Sequence, residues 1–264
     1  GLTDASPEDH LDHITEDRSC FIEQGLKAAI ARQSTNMGFD WIEAHRHRDL
    51  IVETLADCVY SKPKGFQDAD LGKLLSFAQG QARHKLWRAA TRRWTSDLTR
   101  FLEEDLLRTD IDEQYNRAYL IEAAVIANAD SHAPIALLID VAKKASTPRR
   151  LELILDILNT HTIGLENIEL QDRKFRALAL AASYPPEETE LGNALIHLST
   201  ESEEACSPLG ESAKTLLSTL LPATPLSIAA PLVQLAAMAG LESDATIDRI
   251  LASKEQPEQT YSIA

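Results

Sequence analysis

The sequence predicts an all-α protein, and three observations carry that expectation. Valine is scarce, with five in 264 residues, and no stretch alternates apolar and polar side chains for six residues as a half-buried strand would. Leu, Ala and Glu, all good helix formers, are abundant instead. Hydroxyl–proline pairs recur at Ser6-Pro7, Thr147-Pro148, Ser207-Pro208 and Thr224-Pro225. Each places a capping hydroxyl before a proline suited to the first helical position.

In chain order, longer helices are expected near 7–16, 18–33, 39–60, 69–95 and 97–108, forming an N-terminal bundle over residues 1–110. Shorter ones follow near 112–128, 134–145, 148–159, 168–183, 186–199, 208–221, 225–239 and 243–254, making an acidic helical-hairpin domain over 111–256. Leu151, Ile154, Leu155 and Leu158 line one face of the 148–159 helix, and Leu153 and Ile157 add a second. That pattern suits a helix between two neighbours. Helix starts near 112, 148, 186 and 225 recur every ~36–39 residues, the spacing of stacked helical hairpins. The units share no residue signature, so an α-solenoid-like stack and an irregular bundle both fit. The boundary is expected at Thr109–Asp112, and Pro257 opens a polar, frayed tail over 257–264.

Composition narrows the function classes. With 44% apolar and 25% charged residues the chain can bury a core, and no run approaches the ~20 apolar residues of a membrane span. The start, GLTDASPEDHLDH, is acidic and polar and does not read as a signal peptide. Cys20, Cys58 and Cys206 are few, odd in number and far apart, which points to buried thiols in a reducing, cytoplasmic setting.

The net charge of −15 is unevenly spread. Residues 111–264 carry 11 Lys and Arg against 22 acids, whereas residues 71–100 carry 7 against a single acid, Asp97. Within this basic island Leu71, Leu75, Ala78, Ala82 and Ala89 form an apolar stripe. Lys85, Arg88 and Arg92 share another face, flanked by Arg83 and Arg93, with Trp87 and Trp94 beside them. Guanidinium groups next to indoles suit phosphates and unstacked bases, so Arg83, Lys85, Trp87, Arg88, Arg92 and Arg93 are the candidate nucleic-acid-binding residues. A tryptophan core and a solvated charged face paired with Glu103, Glu104 and Asp105 is the structural alternative.

Residues 48–93 also resemble region two of the bacterial sigma factors. In that family a helix patterned D-L-x-Q-E-T-F docks on core RNA polymerase, and here Asp49, Leu50, Glu53 and Thr54 match it. Val52 stands for the glutamine and Leu55 for the phenylalanine. The family's following helix, W-L…I-A-x-N…D…R, melts the promoter. Leu74, Phe77, Ala78 and Ala82 fit it, while Lys73, Gly80 and His84 replace the tryptophan, asparagine and aspartate. The resemblance covers under a fifth of the chain. It implies polymerase docking through Asp49 and Glu53 more directly than promoter melting.

Pro231–Leu251 resembles a helix-turn-helix, with Gly240 at the turn, but its second helix sets Asp244 and Asp248 against Arg249. A plain helical hairpin suits those charges better. No phosphate-binding loop, nucleophile elbow or HExxH zinc motif occurs. His45 and His47 point apart on a helix, His10 and His13 lack a third ligand, and Glu201, Glu203 and Glu204 lie in a Ser-rich loop. No metal or cofactor is expected. The readings that remain are a non-enzymatic regulator associated with transcription that binds RNA polymerase or nucleic acid, an α-helical scaffold for a protein or peptide partner, and an enzyme of unrecognised type.

Overall fold

Apolar residues spaced three and four apart make a helix face that has to be covered, and in the described residues of the computed structural model neighbouring helices cover it. The structure describes Ala28 and residues 69–108, 114–128, 135–160, 170–200 and 208–255. Among the described residues there are eleven α-helices and no strand. The helices expected near 7–16, 18–33 and 39–60, and all three cysteines, lie outside the described residues, apart from a helical Ala28.

The chain divides into two compact units, residues 1–102 and 103–264. In the first, α1 (Ala69–Phe77) packs on α2 (Gly80–Ala90) and on a 3-10 turn at Ser96–Leu98. One helix was expected over 69–95; the backbone instead breaks at Ala78–Gln79 and stops being α-helical after Ala90. The cause of the break is Gly80, which takes φ +50°, a conformation costly for any residue with a Cβ. Gln79 before it is extended. Arg83 then folds back and donates to the carbonyls of Leu75 and, at 3.3 Å, Ala78, capping the end of α1. The apolar stripe survives the break, since Leu71, Leu75, Ala78, Ala82 and Ala89 are all buried.

The units divide after Leu102, within α3 (Thr99–Leu107), ahead of the Thr109–Asp112 boundary expected from composition. The last turn of α3 is held within the second unit. Glu103 pairs with Lys144 at 3.2 Å, and the Leu106 carbonyl accepts from Arg149.

The second unit continues with α4 (Gln114–Ala127), α5 (Ala136–Lys144), α6 (Thr147–Asn159) and α7 (Leu170–Ala181). Then come α8 (Pro186–Ser199), α9 (Glu211–Leu220), α10 (Leu226–Ala239) and α11 (Asp244–Glu255). All eight fall within three residues of the expected positions. Each helix packs on its sequence neighbour from α4·α5 through α10·α11, and α6·α8 and α8·α10 pack as well. The alternate helices α6, α8 and α10 therefore pack in succession, with α7 against α6 and α8 and α9 against α8 and α10. Leu153 and Ile157 are buried along with Leu151, Ile154, Leu155 and Leu158, as a helix between neighbours requires.

The capping hydroxyls are a correction. Neither expected capping hydroxyl among the described residues caps its helix: the Thr147 hydroxyl goes to Glu188 at 3.0 Å, and the buried Thr224 hydroxyl has no partner, while Ser6 and Ser207 lie outside the described residues. At Thr147 a tertiary partner outcompetes the local cap. Helix ends are instead served by arginines, which satisfy last-turn carbonyls and suit the negative end of the dipole. Arg150 donates to Ala142 at 3.2 Å and Ala145 at 2.7 Å after α5, and Arg173 to Leu158 at 2.9 Å and Thr160 at 2.7 Å after α6. The helix-turn-helix-like segment is a hairpin: Gly240, at φ +70°, closes α10 with bonds from its own N–H to Ala237 and from Leu241 to Ala236. Arg249 turns inward onto the carbonyls of Pro222 and Thr224.

Candidate functional site

Glu152, in the middle of α6, is fully buried and takes charge-assisted bonds from three sides. Arg117 of α4 and the Ser227 hydroxyl of α10 reach one carboxylate oxygen, and Arg149, one turn earlier on α6, reaches the other. Arg117 also grips Asp156, with Nε donating to Oδ2 at 2.9 Å and Nη2 to Oδ1. Its Nη2 further donates to the Glu152 carbonyl at 3.3 Å. Two arginines and two carboxylates thus cancel inside the row.

Burial lowers the Arg117 pKa, but the Asp156 and Glu152 carboxylates outweigh it and hold the guanidinium above its ordinary value. Burial pushes the Asp156 carboxyl above the usual carboxylate range, and the attraction of Arg117 offsets this only in part.

Arg117 and Ser227 also line a cleft of about 260 Å³. Its floor is apolar: Leu155 of α6, Leu195 of α8 and Ile228 of α10 are buried, while Leu198 and Pro231 are partly exposed. Its polar lining is uncharged apart from the balanced Arg117, and consists of Asn159, Ser199, Ser227 and Gln234. Four alternate helices, α4, α6, α8 and α10, therefore meet at one concavity. Pro231 sits in the interior of α10. A second cleft, of about 230 Å³, lies between α8, α9 and α10 around Lys214 and Met238.

The basic island looks different in three dimensions. Trp87 is buried at 1% exposure, so its indole offers no stacking face to a base, a correction to its place among the candidate contacts. Trp94 is half-buried. Arg83 is half-buried and serves the end of α1. Lys85 and Arg93 are half-buried, and Arg88 and Arg92 are exposed. The promoter-helix pattern read over Lys73–His84 is split between α1 and α2, with Leu74, Ala78 and Ala82 in the core. Asp49 and Glu53 lie outside the described residues, as do His10, His13, His45, His47, Glu201, Glu203 and Glu204.

Sequence reading missed Arg117, Asn159, Ser227 and Gln234. No local motif joins residues so far apart, although Pro231 inside a helical pattern was a visible irregularity. Among the described residues no group of three His, Cys, Asp or Glu is arranged to hold a metal ion, and no helix is long and apolar enough to cross a membrane. No family model matches the chain, and the searches of curated proteins and of solved structures return no match.

Proposed function

We propose that the second unit is an α-helical scaffold that binds a protein partner on the face made by α4, α6, α8 and α10. The observation that carries this reading is the cleft where these four alternate helices meet. A row of stacked hairpins presents its alternate helices on one side, and such surfaces suit extended partners. At about 260 Å³ the cleft falls below the ~300–1,000 Å³ typical of small-molecule sites, and its lining mixes an apolar floor with neutral hydrogen-bonding groups.

The test is affinity purification of the tagged chain from its own host. Gln234→Arg places a long cation at the exposed rim, and Thr219→Arg places one on α9, outside the cleft lining. A partner that co-purifies with wild type and Thr219→Arg but is lost with Gln234→Arg supports the reading. Equal recovery with both variants contradicts it.

A second reading keeps the N-terminal helices as a transcription-associated contact with RNA polymerase or nucleic acid. Exposed Arg88 and Arg92 favour it, and buried Trp87 weighs against its base-stacking form. Binding to single-stranded or duplex DNA should fall steeply with salt and vanish in Arg88→Glu/Arg92→Glu. Core-polymerase capture should weaken in Asp49→Lys. Absence of both effects removes this reading.

A further inference from the structure

The irregularity in α10 bears on what the cleft takes. Pro231 has no N–H, so the carbonyl of Ser227, four residues earlier, lacks its usual helical donor. Ser227 and Pro231 both line the cleft, which puts that carbonyl on the cleft side of α10. An interior proline costs a helix stability, and here the cost falls where four helices converge.

The electrostatics select a neutral occupant. Arg117 is the one charged residue among those lining the cleft, and Glu152 and Asp156 already hold it. An anion meets no surplus positive charge there and a chain of net charge −15 around it; a cation finds no carboxylate in the lining. The carboxamides of Asn159 and Gln234, both exposed, each offer a donor and an acceptor, the complement of a free peptide group. A helix arrives with its peptide groups already bonded to one another, whereas an extended segment does not.

Resting on the reading of this cleft as a partner-binding face, we propose that it takes an extended segment with an uncharged, leucine-like side chain over Leu155, Leu195 and Leu198. A peptide N–H of that segment donates to the Ser227 carbonyl that Pro231 leaves open.

The probe is a capped tripeptide, acetyl-Gly-Leu-Gly-amide, titrated into the methyl-labelled chain and followed by NMR. It is compared with versions bearing Lys or Glu at the centre, and with two analogues N-methylated at the leucine or at the following glycine. Expected are shifts of the Leu155, Leu195, Leu198 and Ile228 methyls with roughly millimolar affinity, and none with the charged versions. One of the two N-methyl analogues binds ~3–10-fold more weakly to wild type, the effect of a lost hydrogen bond. Pro231→Ala, which restores the helical donor, weakens the parent tripeptide and removes the discrimination against that analogue.

If both N-methyl analogues bind as well as the parent, the carbonyl role is overturned. Preferential binding of a charged tripeptide overturns the neutral occupant. If no tripeptide moves the cleft methyls while Gln234→Arg still strips a co-purifying partner, the ligand chemistry fails and the partner face stands. Loss of both effects removes the two together.

Discussion

Arg117 of α4 holds Asp156 of α6 in a two-pronged ion pair, with Nε 2.9 Å from Oδ2 and Nη2 bonded to Oδ1. The same guanidinium reaches Glu152, which also receives Ser227 from α10. One buried residue of α6 thus joins three alternate helices at the edge of the cleft. A buried charge stripped of its partner is far more costly than an exposed one. Arg117→Ala is therefore expected to lower stability by about 3–5 kcal/mol, read as a fall in urea midpoint at unchanged slope. Arg117→Lys should recover only part of it, because an ammonium cannot reproduce the fork. A loss below that of an ordinary surface substitution would show that the pair does not hold the row.

Asp156 gives this arrangement a pH dependence. Its folded pKa is raised from 3.8, chiefly by burial. A raised carboxyl contributes stability that is fully present below its unfolded value and is lost as pH rises through the folded one. Asp156→Asn removes that titration. Measured side by side by urea unfolding from pH 3 upward, the wild type should lose stability relative to Asp156→Asn as pH climbs past about 4. A difference that stays flat, or grows in favour of wild type, would contradict the raised value.

Pro231 offers a test of local cost. Replacing it with alanine restores one backbone hydrogen bond and removes the ring from the middle of α10. The thermal midpoint should rise, by an amount corresponding to about 1–3 kcal/mol less the packing lost with the ring. A fall would mean that the ring's contacts outweigh the restored bond, and that the proline is retained for packing.

Gly80 separates α1 from α2. An added Cβ there meets no atom within 4 Å, so any penalty is conformational. Gly80→Ala should cost about 1–2 kcal/mol in urea denaturation, whereas Gly80→Asn, which tolerates positive φ, should cost less. Equal costs would place the penalty elsewhere than in the backbone.

These residues also mark what the sequence could convey. Helix positions from α4 to α11 were readable because Leu151, Ile154, Leu155 and their counterparts repeat at helical spacing, a local property. The break at Gly80 was missed because Leu75, Ala78 and Ala82 keep the apolar period across it. Trp87 beside arginines was ambiguous, since heptad-spaced indoles serve cores and stacking faces alike; burial decided it. The cleft was invisible for a different reason: Arg117, Asn159, Ser199 and Gln234 come together only through the stacking of alternate helices.

The most direct test of a partner face along that row is site-specific photocrosslinking in the native host. Benzoylphenylalanine is placed singly at Asn159, Ser199 and Gln234, which line the cleft, and at Ala179 on α7 and Thr219 on α9. The expected result is one adduct of the same mass at the three cleft positions and none at the other two. No adduct at the cleft, or equal yield on α7 and α9, would contradict it.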